Sequence, residues 1–198
     1  FAKIAFTESV KKAQEHYGTR LANERLENLD RLDELTGNEA DFISQRDGFY
    51  MATVSDDGQP YVQFRGGPKG FLKVLDEKTL GYADFRGNLQ YISVGNLKAN
   101  DKAALFLMDY PNQARLKLIV RVDVKDAAEA PEMIEKLTMP GYKAKIERAM
   151  ILHVEAFDWN CQQHITPRYT IDEVRVMTAP MTEHIEKLEK EIEELKRR

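Results

Sequence analysis

Phe49-Tyr-Met-Ala-Thr-Val-Ser-Asp-Asp-Gly-Gln-Pro-Tyr-Val-Gln-Phe64 decides the fold of this chain. Two short runs rich in aromatic and β-branched residues flank Asp56-Asp-Gly-Gln-Pro60, whose residues tolerate left-handed backbone. That pattern predicts a β-hairpin. Working outward, Phe71 to Leu75 and Leu80 to Asp84 pair across Asp76-Glu-Lys78, and Ala103 to Met108 and Leu116 to Val124 pair around Tyr110-Pro-Asn112. Ala149 to Phe157 adds a further strand.

Two segments between these strands carry chemistry. Arg65-Gly-Gly-Pro-Lys-Gly-Phe-Leu-Lys73 and Asp84-Phe-Arg-Gly-Asn-Leu-Gln-Tyr-Ile-Ser93 together read as an anion site beside a flat apolar slot. Gly66 and Gly67 allow a backbone to approach a ligand, Phe71 offers an apolar wall, and Arg65 and Arg86 are planar forks of donors. Asn88, Gln90 and Ser93 add neutral hydrogen-bonding groups. Residues Asn88 to Leu97 read as a helix whose free N–H groups beside Arg86-Gly87 favour a phosphate. The competing reading pairs one arginine with Asp84 or Glu77 on the barrel surface.

At Phe49 to Tyr61, Arg65 to Pro68, Phe71-Leu-Lys-Val-Leu-Asp76, Gly87-Asn88 and Gly95-Asn-Leu97 with Asn100, the chain resembles the FMN-binding split barrels related to pyridoxamine 5′-phosphate oxidase. Asp158-Trp-Asn-Cys-Gln-Gln-His-Ile-Thr-Pro-Arg168 resembles the closing motif of one branch, so the similarity spans roughly residues 40 to 170. The resemblance implies an α+β protein, mainly β, with a six-stranded antiparallel Greek-key split barrel. It also implies a homodimer with FMN at the subunit interface and oxidoreductase chemistry on a small molecule. The cofactor residues it suggests are Arg65, Gly66, Gly67, Phe71, Asp84, Arg86, Asn88, Gln90, Ser93, Arg115, Trp159, Gln163, His164 and Arg168. Arg115 aligns with a position that reaches the flavin pyrimidine, and Lys73 with a phosphate lysine. Two charged positions of the oxidase are Leu89 and Gln90 here, which shifts phosphate neutralisation to Arg86 and Arg168 or weakens flavin binding. A deazaflavin-binding reductase and a non-catalytic flavin-binding or interaction protein remain alternatives.

Composition narrows the function classes. With 29 basic and 33 acidic residues among 198, a net charge of −4, the chain lacks the basic footprint of a nucleic-acid binder. No apolar run approaches the roughly 20 residues that cross a bilayer, and the first residues lack a signal-peptide pattern, so no membrane is expected and a cytoplasmic setting is. The single cysteine, Cys161, fits a reducing compartment. Cys161 and His164 lack an evident orienting carboxylate for nucleophilic catalysis, and the scattered histidines His16, His153 and His184 make no four-ligand set, so no metal is expected.

Helices are expected at both ends. Residues 1–46 should hold a helix from residue 8 to 17 between Thr7 and Gly18. A second should carry the stripe Leu26, Leu29, Leu32 and Leu35 and end near Gly37, and a third should be capped by Asn38. Residues 47–170 form the barrel, with Ala130-Pro131 opening a helix through Leu137 and another helical turn after Pro140-Gly141. In residues 171–198, Met181, Ile185, Leu188, Ile192 and Leu195 mark an amphipathic helix with Pro180 at its start.

Overall fold

Alternation of buried and exposed side chains drives the sheet. In the computed structural model, which describes residues 1–28, 33–159 and 163–197, seven strands run β1 (Gly48–Val54), β2 (Pro60–Gly66), β3 (Lys73–Asp76), β4 (Thr79–Phe85), β5 (Lys102–Asp109), β6 (Ala114–Asp126) and β7 (Ile146–Trp159). All pairings are antiparallel and the order is β2-β1-β5-β6-β7-β4-β3. The strand count is seven, as the seven runs read from the sequence add up to, where the resemblance implied six.

Period-two patterning places one face of β1, β5, β6 and β7 inside, while Leu80 to Asp84 of β4 are buried on both faces. Phe49 and Met51 of β1, Leu105 and Leu107 of β5, Leu116 and Leu118 of β6, and Met150 and Leu152 of β7 form one continuous core. The sheet curls on itself. Tyr82 of β4 meets Phe49 of β1 edge-on at 5.4 Å, and Arg65 of β2 pairs with Asp84 of β4, although β2 and β4 lie far apart in strand order.

Seven helices accompany the sheet among the described residues: α1 (Ala2–Ala5), α2 (Glu8–His16), α3 (Arg20–Glu27), α4 (Gly37–Ser44), α5 (Ile92–Ala99), α6 (Pro131–Leu137) and α7 (Ile171–Lys196). The hairpin, the later strand pairs, α2 and α6 lie where the sequence puts them. Several boundaries do not. The second helix ends at Glu27 with Asn28 as its cap, so buried Leu35 enters the core from non-helical chain, while Leu29 and Leu32 lie outside the described residues. Helix α4 is capped by Thr36, two residues before Asn38, because Thr36 and Glu39 form a reciprocal capping box. No helical turn follows Gly141; β7 starts at Ile146.

The chain divides into two compact units, one of Phe1–Asp109 with Ala114–Cys161 and one of Tyr110–Gln113 with Gln162–Arg198. In the first, Leu137 of α6 presses on Gly81, where an added Cβ would lie 2.8 Å from Leu137 Cδ2; only glycine lets the helix sit so close to β4. In the second, α7 begins at a Thr170–Glu173 capping box, nine residues before Pro180, and the proline lies inside the helix. Among the described residues no helix is long and apolar enough to cross a membrane.

Candidate functional site

Three arginines and two carboxylates form a chain of ion pairs across β2, β4 and β7. Arg65 Nη1 donates to Asp84 Oδ1 at 2.9 Å, and Arg148 Nε donates to Asp84 Oδ2 at 2.9 Å. Arg148 Nη2 continues to Glu147 Oε2 at 2.8 Å, and Arg86 Nε closes the series on Glu147 Oε1 at 2.7 Å. The register that sets Asp84 opposite Arg148 on β4 and β7 makes the central contact possible. Tyr91 lies over the Arg148 guanidinium at 4.9 Å, and its hydroxyl donates to Glu147 Oε1 at 3.5 Å.

The electrostatics follow from burial. The Asp84 side chain is only 3% exposed, so its charge is tolerable because two guanidiniums saturate it. The hydrogen bond from Arg86 holds the Glu147 carboxyl below its usual range, and the same bond raises Arg86. Burial opposes the charge on Arg148, yet its bonds to Asp84 and Glu147 outweigh that and raise its pKa. Three cations against two anions leave the cluster net positive.

A cavity of about 290 Å³ lies beside this cluster, lined by Arg65, Asp84, Arg86, Phe64, Phe85 and Tyr142 among others. A smaller one of about 40 Å³ adjoins it at Arg148, Asn88, Ile92 and Ser93. Arg65 Nε is buried and has no hydrogen-bond partner among the described residues. A net-positive cavity with aromatic walls, lined by a guanidinium that has an unpartnered donor, suits an anionic aromatic ligand.

The segment after β4 departs from expectation. The helix starts at Ile92, not Asn88, because Leu89 (φ 62°) and Tyr91 (φ 52°) hold left-handed backbone that cannot belong to a helix. Asn88 and Gln90 instead bond each other in an exposed turn, side chain to side chain at 3.1 Å. Ser93 is buried and donates to Gln63 Oε1 at 3.1 Å, while buried Asn96 ties α5 to Thr53 of β1 at 3.0 Å. The helix N-terminus therefore opens beside the smaller cavity, four residues later in the chain than the sequence suggests.

Packing accounts for the glycine pair. A Cβ on Gly67 would lie 2.6 Å from Phe71 Cγ, and one on Gly66 would lie 2.9 Å from Phe64. Phe71 itself is 2% exposed and stacks on Phe49 at 5.7 Å, so it belongs to the core while it also lines the cavity. Lys73 donates to Lys136 O at 2.6 Å, at the C-terminal end of α6.

Arg115 and Trp159 lie elsewhere in the first unit. The Arg115 guanidinium covers the Phe106 ring at 4.5 Å, and its Nε is buried with no partner among the described residues. Trp159 donates its indole N–H to Glu39 Oε1 at 2.8 Å and meets Phe42 edge-on at 4.7 Å. That fixes the end of β7 to α4.

Gln163, His164 and Arg168 belong to the second unit. Gln163 and His164 are exposed, His164 has φ 64°, and Arg168 lies over the Tyr110 ring at 5.2 Å. Gln113 Nε2 donates to Ile165 O at 2.6 Å and holds the two segments of this unit together. Cys161 lies outside the described residues. Among the described residues no three His, Cys, Asp or Glu side chains gather as a metal site.

Sequence reasoning missed Arg148, Glu147, Gln63 and Tyr91. Starting the last strand at Ala149 left Glu147 and Arg148 out of the sheet; the strand begins at Ile146, and its register against β4 sets Arg148 opposite Asp84.

The curled antiparallel sheet, with α5 over β1 and a cationic cavity between β2 and β4, defines an α+β split barrel. Residues 35–157, more than half of the chain, match the family described as Pyridoxamine 5′-phosphate oxidase, and the chain belongs to that family. Among solved structures, it is similar to a candidate pyridoxamine 5′-phosphate oxidase of Lactobacillus delbrueckii: 21% identity, TM-score 0.50, over 66% of this chain and 97% of that one. It is also similar to HupZ of Group A Streptococcus (17%, TM-score 0.49, 68% and 99%) and to an FMN-binding protein of Syntrophomonas wolfei (12%, TM-score 0.45, 77% and 97%). No curated protein matches the chain.

Proposed function

We propose that this protein binds FMN and carries out flavin-dependent oxidoreduction of a small molecule. The observation that carries the reading is Arg65, whose Nε is buried and unpartnered among the described residues and which lines a cavity of about 290 Å³, in a chain of this family. Arg65 and Arg86 would hold the phosphate, with Asp84 fixing the orientation of Arg65 and Glu147 competing with the phosphate for Arg86. Ser93 and the start of α5 would add neutral donors. The bound flavin would supply hydride and electron transfer, while the protein orients it and keeps the ring from bulk water. Arg115, if it borders the pyrimidine, would stabilise the anionic reduced ring.

A homodimer goes with this reading. Tyr50, Val62 and Phe64 leave an exposed apolar patch on the outer face of β1 and β2, with Tyr50 and Phe64 in edge contact at 5.4 Å. A second subunit covering that patch would complete each flavin pocket. A reducing, cytoplasmic setting suits a chain with one cysteine.

The test is the identity of the cofactor. Purified protein reconstituted with FMN should show two visible absorption bands, release FMN by mass spectrometry, and bleach on reduction by a nicotinamide nucleotide. A deazaflavin or FAD in its place, or no flavin after reconstitution, overturns the proposal. Bound flavin that resists nicotinamide reduction and dithionite alike would leave a flavin-binding protein without the redox role.

A further inference from the structure

Helix α7 carries an exposed apolar seam that nothing else in its own unit covers. No residue from Ile171 to Lys196 is buried, although Ile171 (71% exposed), Val174, Met181 and Ile185 are large and apolar. The 26 residues span roughly 39 Å at about 1.5 Å per residue. With the helix starting at Ile171, the seam runs through three and a half heptads in unbroken 3,4 spacing, where a start at Pro180 left two.

We infer that α7 forms a parallel, in-register two-stranded coiled coil with α7 of a second copy of this chain. The a positions are Ile171, Thr178, Ile185 and Ile192; the d positions are Val174, Met181, Leu188 and Leu195. Isoleucine at a with leucine at d favours two parallel strands. Thr178 is the one polar seam residue, and its hydroxyl donates to Val174 O at 2.9 Å, so it enters the seam with its polar group satisfied and its methyl free to pack. Pro180 falls at a c position, on the solvent side, where its ring obstructs no partner.

Flanking charges support the same occupant. In a parallel pair each g residue faces the e residue five positions on in the other strand. Glu191 then faces Lys196, and His184 faces Glu189. Neither pairing sets like charges against each other. A second copy is therefore matched both in the seam and along its flanks. This inference does not depend on the cofactor.

Disulfide trapping in the full-length protein tests it. Under mild oxidation Leu188→Cys at d should give a reducible dimer whose linked peptides join position 188 to 188, since in-register d side chains come within disulfide reach. Leu195→Cys should do the same, and unmodified protein controls for Cys161. Lys190→Cys, at the outward f position, should lose that product. Equal trapping at 188 and 190, no 188–188 linkage beside folded Leu195→Cys protein that also fails to link, or a 178–188 linkage in the Thr178→Cys/Leu188→Cys variant would each overturn the parallel pairing.

Discussion

Arg148 donates through Nε to Asp84 at 2.9 Å, on the carboxylate oxygen that Arg65 leaves free. Asp84 thereby joins three strands, β2, β4 and β7, at one buried charge. The pairing is worth little as net stability, since desolvating the ions offsets most of their attraction, but removing one partner strands the others. Asp84→Ala should destabilise the protein by about 3 kcal/mol, because two nearly buried guanidiniums lose their acceptor. Urea denaturation measures it; an unchanged midpoint would show that the arginines find water instead.

Glu39 gives the fold an acid-sensitive joint. Burial works against its charge, but hydrogen bonds from the Thr36 hydroxyl, the Trp159 indole and the Thr36 backbone N–H prevail and lower its pKa to about 2. Because the folded value lies below the unfolded one, the stabilisation is present above about pH 4.5 and is lost as pH falls toward 2. Its size is on the order of 3 kcal/mol at neutral pH. Trp159→Phe keeps the ring contact with Phe42 and removes one of the bonds. It should lower stability by about 1 kcal/mol at pH 7 and flatten the fall between pH 4.5 and 2, read from denaturation midpoints across that range.

Strands were legible wherever alternation and turn chemistry were both strong, as in Phe49 to Phe64 and Leu116 to Val124. Helix limits were less so. The left-handed residues Leu89 and Tyr91 delay α5 by four residues, and neither is a residue type that signals such backbone. Of the site, the sequence singled out Arg65, Asp84 and Arg86, since charged residues beside glycines stand out. It could not supply their partners: Asp84 meets Arg148 across 64 residues, through a strand register that no local pattern encodes. Trp159 is the opposite case. The resemblance put it among the cofactor residues, and the structure adds a bond to Glu39, 120 residues away, that joins β7 to α4.

Gly67 should be intolerant of any side chain, for a reason internal to the core. An alanine Cβ there would lie 2.6 Å from Phe71 Cγ, and Phe71 is held between Phe49 and Tyr82. Gly67→Ala should cost about 1–3 kcal/mol, the range for overpacking. Thermal denaturation checks it, and the double variant Gly67→Ala/Phe71→Leu should recover part of the loss. Without recovery, the glycine serves a ligand and not the ring.

Arg86 and Glu147 offer a pair of opposite outcomes for the proposed FMN phosphate. Arg86 is about half exposed and already donates to Glu147 at 2.7 Å, so Arg86→Ala leaves the core intact and folding should survive. If the guanidinium also meets the phosphate, FMN affinity should fall about ten- to a hundred-fold on its removal. Glu147→Gln acts the other way: it removes a carboxylate beside the anion and frees Arg86 from its competing partner. FMN should then bind more tightly, and the gain should vanish in the Arg86→Ala background if both effects run through the same contact. Titration by flavin fluorescence quenching reads all four proteins. Equal affinities throughout would make the Arg86–Glu147 bond a surface ion pair with no part in cofactor binding.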